Sequence, residues 1–183
     1  MITLDQLKTI MPLIPKNKVD TYFKFLVMAM DEFKINTPLR IAAFLAQIAH
    51  ESYEFKYMSE IWGPTEQQLK YEPPNKLAAR LGNTQKGDGY AFRGASPIQL
   101  TGRSNFKMCG LDIGLDLENH PDLARSPDVG FRIAGWYWNK RNLNSLADVA
   151  DFDAITKKIN GGFLGKKQRD SYYAKAKKVL GIT

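Results

Sequence analysis

Cysteine is nearly absent. Cys109 is the only one in 183 residues, so no intrachain disulfide can form and the fold needs no oxidising compartment. Histidine is almost as scarce, with His50 and His120 alone. Neither an H-x-x-x-H nor a C-x-x-C spacing occurs, so no metal is expected. Glycine-rich phosphate loops are missing too. "GDGYAFRG" places its third glycine two positions late for a dinucleotide fingerprint, and "GGFLGKK" lacks the spacing of a P-loop. The longest apolar runs, near residues 25–30 and 41–49, are too short to span a bilayer. The opening "MITLDQLKTIMP" has neither the basic stretch nor the apolar run of a signal peptide. The expectation is a chain made in a cytoplasm. No repeat, low-complexity segment or long linker divides it, so one domain over 1–183 is expected, with helices in 1–36 packed on its remainder.

What is present describes a globular chain. Hydrophobic residues make up 44% and charged residues 25%, outside the range of disordered sequences. Basic residues outnumber acidic ones by 26 to 19, a net charge of +7. Such an excess favours polyanions: nucleic acid, anionic lipid or acidic wall polymers. The basic excess is dense near the C-terminus, where Lys166, Lys167, Arg169, Lys175, Lys177 and Lys178 face only Asp170. Tyr172 and Tyr173 are interleaved there, a pattern that suits phosphates. A solvated helix face is the preferred reading, and no nucleic-acid partner is expected.

The chain reads as mainly α. Thr3 and Gln6 have capping-box spacing, and Pro12 closes the first helix. "VDTYFKFLVMAMDEF" has apolar residues at helical spacing. Thr37-Pro38 is an N-cap followed by a first-turn proline, opening a helix with Ile41, Phe44, Leu45 and Ile48 on one stripe. A short helix to Leu81 follows the prolines at 73 and 74. Residues 82–102, rich in Gly, Asn, Asp and Ser, read as loop with at most short strands. Ser126-Pro127 opens another helix, Asp151 or Asp153 caps one that ends at Gly161, and a last helix covers 167–180. The irregular middle, 60–105, is the expected binding surface.

One apolar helix ends on a carboxylate: "AFLAQIAHES". Glu51 lies three residues after Ile48 and seven after Phe44, at the edge of the apolar stripe. Partial desolvation there penalises the charged form, and general-acid catalysis needs a carboxyl that holds its proton. A glycosidase needs a second carboxylate across the sugar. Glu54, three residues on, sits beside Glu51 and leaves no room for a saccharide. Glu60 qualifies if the helix stops between 52 and 59; unbroken, it would carry Glu60 about 13.5 Å along the axis to the opposite face. No glycine or proline marks that break.

Four ordered blocks, "AFLAQIAHES", "SEIWGPTEQQ", "GDGYAFRGASPIQLTGRSNF" and "TKKINGG" with Arg169 beyond, resemble glycoside hydrolase family 19. The likeness spans about residues 37–173 and is closer to bacteriophage endolysins than to plant chitinases. It implies a lysozyme-like, two-lobed α-helical domain with a central cleft, cleaving β-1,4 bonds between N-acetylated sugars by inversion, with no cofactor. Glu51 matches the general acid, Glu60 the general base that activates water, and Thr101 the hydroxyl that helps hold that water. Gln99 and Asn105 match sugar-binding residues, Asn160 a cleft asparagine and Arg169 a supporting arginine; all four are grouped with the substrate-binding set. The implied protein is a monomeric muramidase acting on bacterial peptidoglycan, reaching the wall after release from the host cytoplasm, with an anionic envelope as a further contact. A chitinase with the same machinery and a non-catalytic basic binding domain are the alternatives. Two departures stand out. Relatives often have Gly-Gly after "HES", where this chain has Tyr53-Glu54, and R-G-R-G where it has "RGASP". Arg93 is expected to hold Glu51 or Glu60 by a charge-assisted bond, or to form a structural ion pair. Trp62, Tyr90 and Phe92 are expected as core more than as sugar platforms.

Overall fold

The computed structural model describes residues 1–182. Its elements run α1 (Leu4–Ile10), α2 (Val19–Glu32), α3 (Pro38–Ser52), α4 (Glu66–Leu69), α5 (Lys76–Leu81), α6 (Asp88–Ala91), α7 (Arg103–Ile113), a 3-10 turn (Pro121–Arg125), α8 (Pro127–Lys140), α9 (Leu143–Asp148), α10 (Phe152–Asn160) and α11 (Lys166–Val179). Among the described residues there is no sheet, only isolated antiparallel bridges between Ser59 and Ala95 and between Ala95 and Leu100. The mainly α reading holds.

Helix α3 is the axis of the body. Thr37 caps it through a hydrogen bond from the Arg40 N–H, and Pro38 occupies the first turn. Ile41 through Ala49 are all buried. The stripe is therefore a cylinder: four alanines among the larger residues let helices close in from several sides. α11, α9 and α10 pack on α3, and α2 packs on α8. Phe44 meets Trp138 edge-on at 5.3 Å, and Trp136 and Trp138 are both buried.

The helix stops where the sequence shows no stop. Tyr53, Glu54 and Phe55 all have positive φ, at 52°, 56° and 65°. The Ser52 hydroxyl stabilises this reversal, donating to the Ile48 carbonyl at 2.6 Å and accepting from the Phe55 N–H at 2.8 Å. Phe55 drops into the core, edge-on to Phe131 at 5.0 Å and to Tyr22 at 6.1 Å. Glu54 is also buried. Its carboxylate accepts from the Leu13 N–H and, at 2.7 Å, from the Tyr172 hydroxyl. Burial and that carboxylate together push the Tyr172 phenol well above its usual range.

The irregular middle is narrower than 60–105, because α7 already begins at Arg103. Its order comes from a polar frame. Arg103 grips Asp88 with two bonds, Nε to Oδ2 at 3.0 Å and Nη2 to Oδ1 at 2.6 Å. Asp88 also accepts the Thr84 and Gln85 N–H groups. Burial alone would raise the Asp88 carboxyl, but Arg103 and the two N–H donors hold it below the ordinary value. Asn83 ties the loop to the Tyr71 carbonyl and the Arg103 N–H.

Three predictions follow from this packing. Ser52→Ala leaves a buried N–H without its acceptor, so it should cost about 2 kcal/mol and lower the melting temperature by about 5 °C. Because Asp88 has a depressed folded-state value, its contribution to stability is present above the unfolded carboxyl value, about pH 4. It is lost as pH falls through the folded value. Urea midpoints measured between pH 7 and 3 should fall less steeply for Asp88→Asn than for the natural chain. Burial pushes the Cys109 thiol up to about 12, so Ellman's reagent should titrate it only after unfolding.

Candidate active site

A cleft of about 680 Å³ opens between the helical body and the irregular middle. From the body come Glu51 of α3, Tyr137 and Lys140 of α8, and Ile159 of α10. From the other side come Gln99, Thr101 and Asn105. The structure therefore brings together Glu51, picked out by its place on the apolar helix, with the two amides and the hydroxyl that the family resemblance implied.

Glu51 is fixed from beneath. Arg169, on α11, is 1% exposed and donates to Glu51 Oε1, to Gln47 Oε1 and, at 3.4 Å, to the Leu164 carbonyl. Gln47 completes the support by donating to Thr156 Oγ1 at 2.8 Å. Arg169 thus supports the carboxylate and is not a sugar contact: a side chain with almost no accessible surface cannot meet a substrate. Gln47, one helical turn before Glu51, was missed in the sequence; a lone amide among alanines was the available signal. His50 bonds Gln168 at 2.7 Å. Burial, with the neighbouring Arg169 charge, lowers its imidazole below the usual value.

Glu60 reaches the opposite side because the chain turns back at residues 53–55. Its N–H donates to the Gly94 carbonyl at 2.8 Å. Its Oε2 accepts the Gly94 N–H at 3.0 Å and its Oε1 accepts Gln68 Nε2 at 3.0 Å. Gln68 is a second missed support; it also closes the capping box with Thr65. Glu60 is not on the wall of the cleft itself. Gly94 joins it to that wall. A Cβ at Gly94 would lie 3.3 Å from Glu60 Oε2 and 2.5 Å from Gln99 Oε1, so only glycine lets the two side chains flank this backbone.

The remaining polar groups are held by backbone. Gln99 donates to the Tyr57 and Ser96 carbonyls at 3.2 and 3.1 Å, Thr101 Oγ1 to the Gln99 carbonyl at 3.0 Å, and Asn105 Nδ2 to the Thr101 carbonyl at 2.7 Å. Asn160 is half-buried at the end of α10, next to the cleft residue Ile159 but outside the lining. Arg93 departs from expectation. Among the described residues it pairs with neither glutamate; it donates to the Tyr90 carbonyl at 2.7 Å and stacks 4.0 Å over the Tyr90 ring. Phe92 is core, whereas Tyr90 is 52% exposed and edge-on to Trp62 at 5.6 Å. In "RGASP", Ala95 is fully buried where an arginine would not fit, and Ser96 adopts a φ of 70° that would suit glycine.

An α-helical body with a polar cleft, a carboxylate on its wall and a second carboxylate tied to the facing wall is the geometry of the lysozyme-like glycosidase folds. Residues 25–151 match the family described as chitinase class I, and the chain belongs to glycoside hydrolase family 19. The matched stretch ends before Asn160 and Arg169. The Arabidopsis thaliana endochitinase At2g43620 is 39% identical over 150 residues, covering 78% of this chain and 48% of that protein. A Haemophilus influenzae glycosyl hydrolase family 19 domain-containing protein is 32% identical over 155 residues, covering 72% and 76%. The chain spans about half the length of the plant endochitinases it matches. In fold it is similar to chitinase C from Streptomyces griseus, with a TM-score of 0.78 at 23% identity over 100% of this chain and 93% of that one.

The support beneath Glu51 is testable by itself. Arg169→Gln removes a buried charge from its three acceptors and should cost about 3 kcal/mol. Equilibrium urea unfolding measures the loss.

Proposed function

We propose that this chain hydrolyses β-1,4 glycosidic bonds of an N-acetylated sugar polymer with inversion. Glu51 protonates the leaving oxygen, and Glu60 deprotonates the water that attacks the anomeric carbon from the other face. Thr101 helps position that water. Gln99, Asn105 and Asn160 hold sugar hydroxyl and acetamido groups, since amides pair with both without adding charge. Arg169 positions Glu51. The observation that carries this reading is that Glu51 shares one cleft with Gln99, Thr101 and Asn105, while Glu60 is bonded to the backbone that flanks Gln99. An inverting pair stands roughly 6.5–9.5 Å apart, leaving space for the water.

For the substrate we favour bacterial peptidoglycan, cleaved by an endolysin-type muramidase that acts at the wall after release from the cytoplasm where it is made. The +7 charge supports approach to an anionic envelope, and monomeric action on a solid wall needs no further partner. The names of the plant relatives favour a second reading, a chitinase with the same cleft.

Glu51→Gln keeps the shape and removes the proton, so cleavage should fall about 10²- to 10⁴-fold, the contribution of a positioned acid. Unchanged cleavage would overturn the assignment. Proton NMR during digestion should show the α-anomer first; a β-anomer would exclude inversion. Mass spectrometry of digested peptidoglycan should find new reducing ends on muramic acid. Chitin oligomers released without any loss of wall turbidity would select the chitinase reading.

A further inference from the structure

Two cations lie on the helical wall of the cleft, Lys140 and Arg141. Lys140 is balanced, with Nζ 3.0 Å from Asp112 Oδ2. Arg141 is not. Among the described residues no carboxylate lies within ion-pair distance of it. Its guanidinium instead stacks on the Tyr137 ring, 3.4 Å from the centroid. Tyr137 is itself anchored, its hydroxyl donating to the Ile159 carbonyl at 3.3 Å. Lys158 Nζ donates to the Arg141 carbonyl at 3.2 Å and adds positive charge to the same rim.

The arrangement is a flat guanidinium with one face covered by an aromatic ring and its charge unanswered by the protein. Stacking fixes the plane of the group, so less freedom is lost when it pairs. Its fork of N–H donors matches a carboxylate. N-acetylglucosamine polymers carry no carboxylate, whereas muramic acid carries one on its peptide arm or, where no peptide is attached, on its free lactyl group. We propose that Arg141 binds a carboxylate borne on the glycan strand and so selects acid-substituted strands over plain ones. The proposal rests on the reading of this cleft as a glycan groove and names the feature of the glycan that it distinguishes.

The test compares two soluble polymers with one backbone: uncharged glycol chitin and carboxymethyl chitin. Dissociation constants for the full chain come from affinity electrophoresis in gels containing each polymer. The natural protein should prefer the carboxymethyl form, and Arg141→Gln should reduce that preference about fivefold, the scale of an accessible charge pair. Arg141→Lys, which keeps the charge and loses the fork, should retain part of it; this guards against a variant that merely fails to fold. Lys178→Gln removes the same unit of charge from an exposed position outside the cleft lining and measures the non-specific contribution. The proposal is overturned if Arg141→Gln weakens both polymers equally, or no more than Lys178→Gln does. Because the readout is binding, absent hydrolysis has its own signature: a retained carboxylate preference without product.

Discussion

Three consecutive residues in left-handed backbone make the site possible. Without the reversal at Tyr53, Glu54 and Phe55, Glu60 would ride along the same rod as Glu51. Each such residue costs about 1–2 kcal/mol when it is not glycine, so the turn opposes folding by several kcal/mol. Full burial of Phe55 returns about 2–3 kcal/mol, its two edge-on aromatic neighbours about 1 kcal/mol each, and the Ser52 hydrogen bonds about 1 kcal/mol each. The terms offset one another. This explains the Tyr53-Glu54 that replaces paired glycines: glycine would relax the backbone, but position 54 would then lose the carboxylate that holds Leu13 and Tyr172.

The charge beneath the cleft follows a related logic. A buried guanidinium is tolerated only when its donors are answered, and Arg169 meets Gln47, Glu51 and the Leu164 carbonyl. These groups come from α3, α11 and the loop between α10 and α11, so the ion pair also fixes how the helices meet. The same use takes Arg169 out of the basic C-terminal face, and Lys166 is bonded to Asp153 and Asp170. The segment is therefore less free to meet an outside polyanion than its composition suggests.

Local signals made much of the fold legible. Thr3 with Gln6, Thr37 with Pro38, Asp151 and Gly161 mark helix ends through their own chemistry, and the structure has those ends. α7 and α9 were not legible, because each begins after a left-handed or otherwise irregular residue, Gly102 and Asn142, with no side-chain cap. The end of α3 was invisible for a different reason: the burial of Phe55, a tertiary event, overrides the absence of a breaker. In the site, the family resemblance, with the position of Glu51 on its helix, selected Glu51, Gln99, Thr101 and Asn105, which the cleft unites. The supports Gln47 and Gln68, and the platform of Tyr137 and Arg141, belong to segments that meet only in three dimensions. Periodicity carries no trace of such a meeting.

The first helix lies outside the stretch that matches the family, yet it is bolted to the body at both ends. Gln6 Nε2 donates to the Val179 carbonyl at 3.4 Å, and the Leu13 N–H answers the buried Glu54. Trimming the chain to residues 25–151 would remove α1 and α11 together, leaving Glu54 without Leu13 and Tyr172 and Glu51 without Arg169. The smallest unit that can be moved between proteins intact is therefore set by hydrogen-bond closure, and it is larger than the stretch that sequence matching delimits.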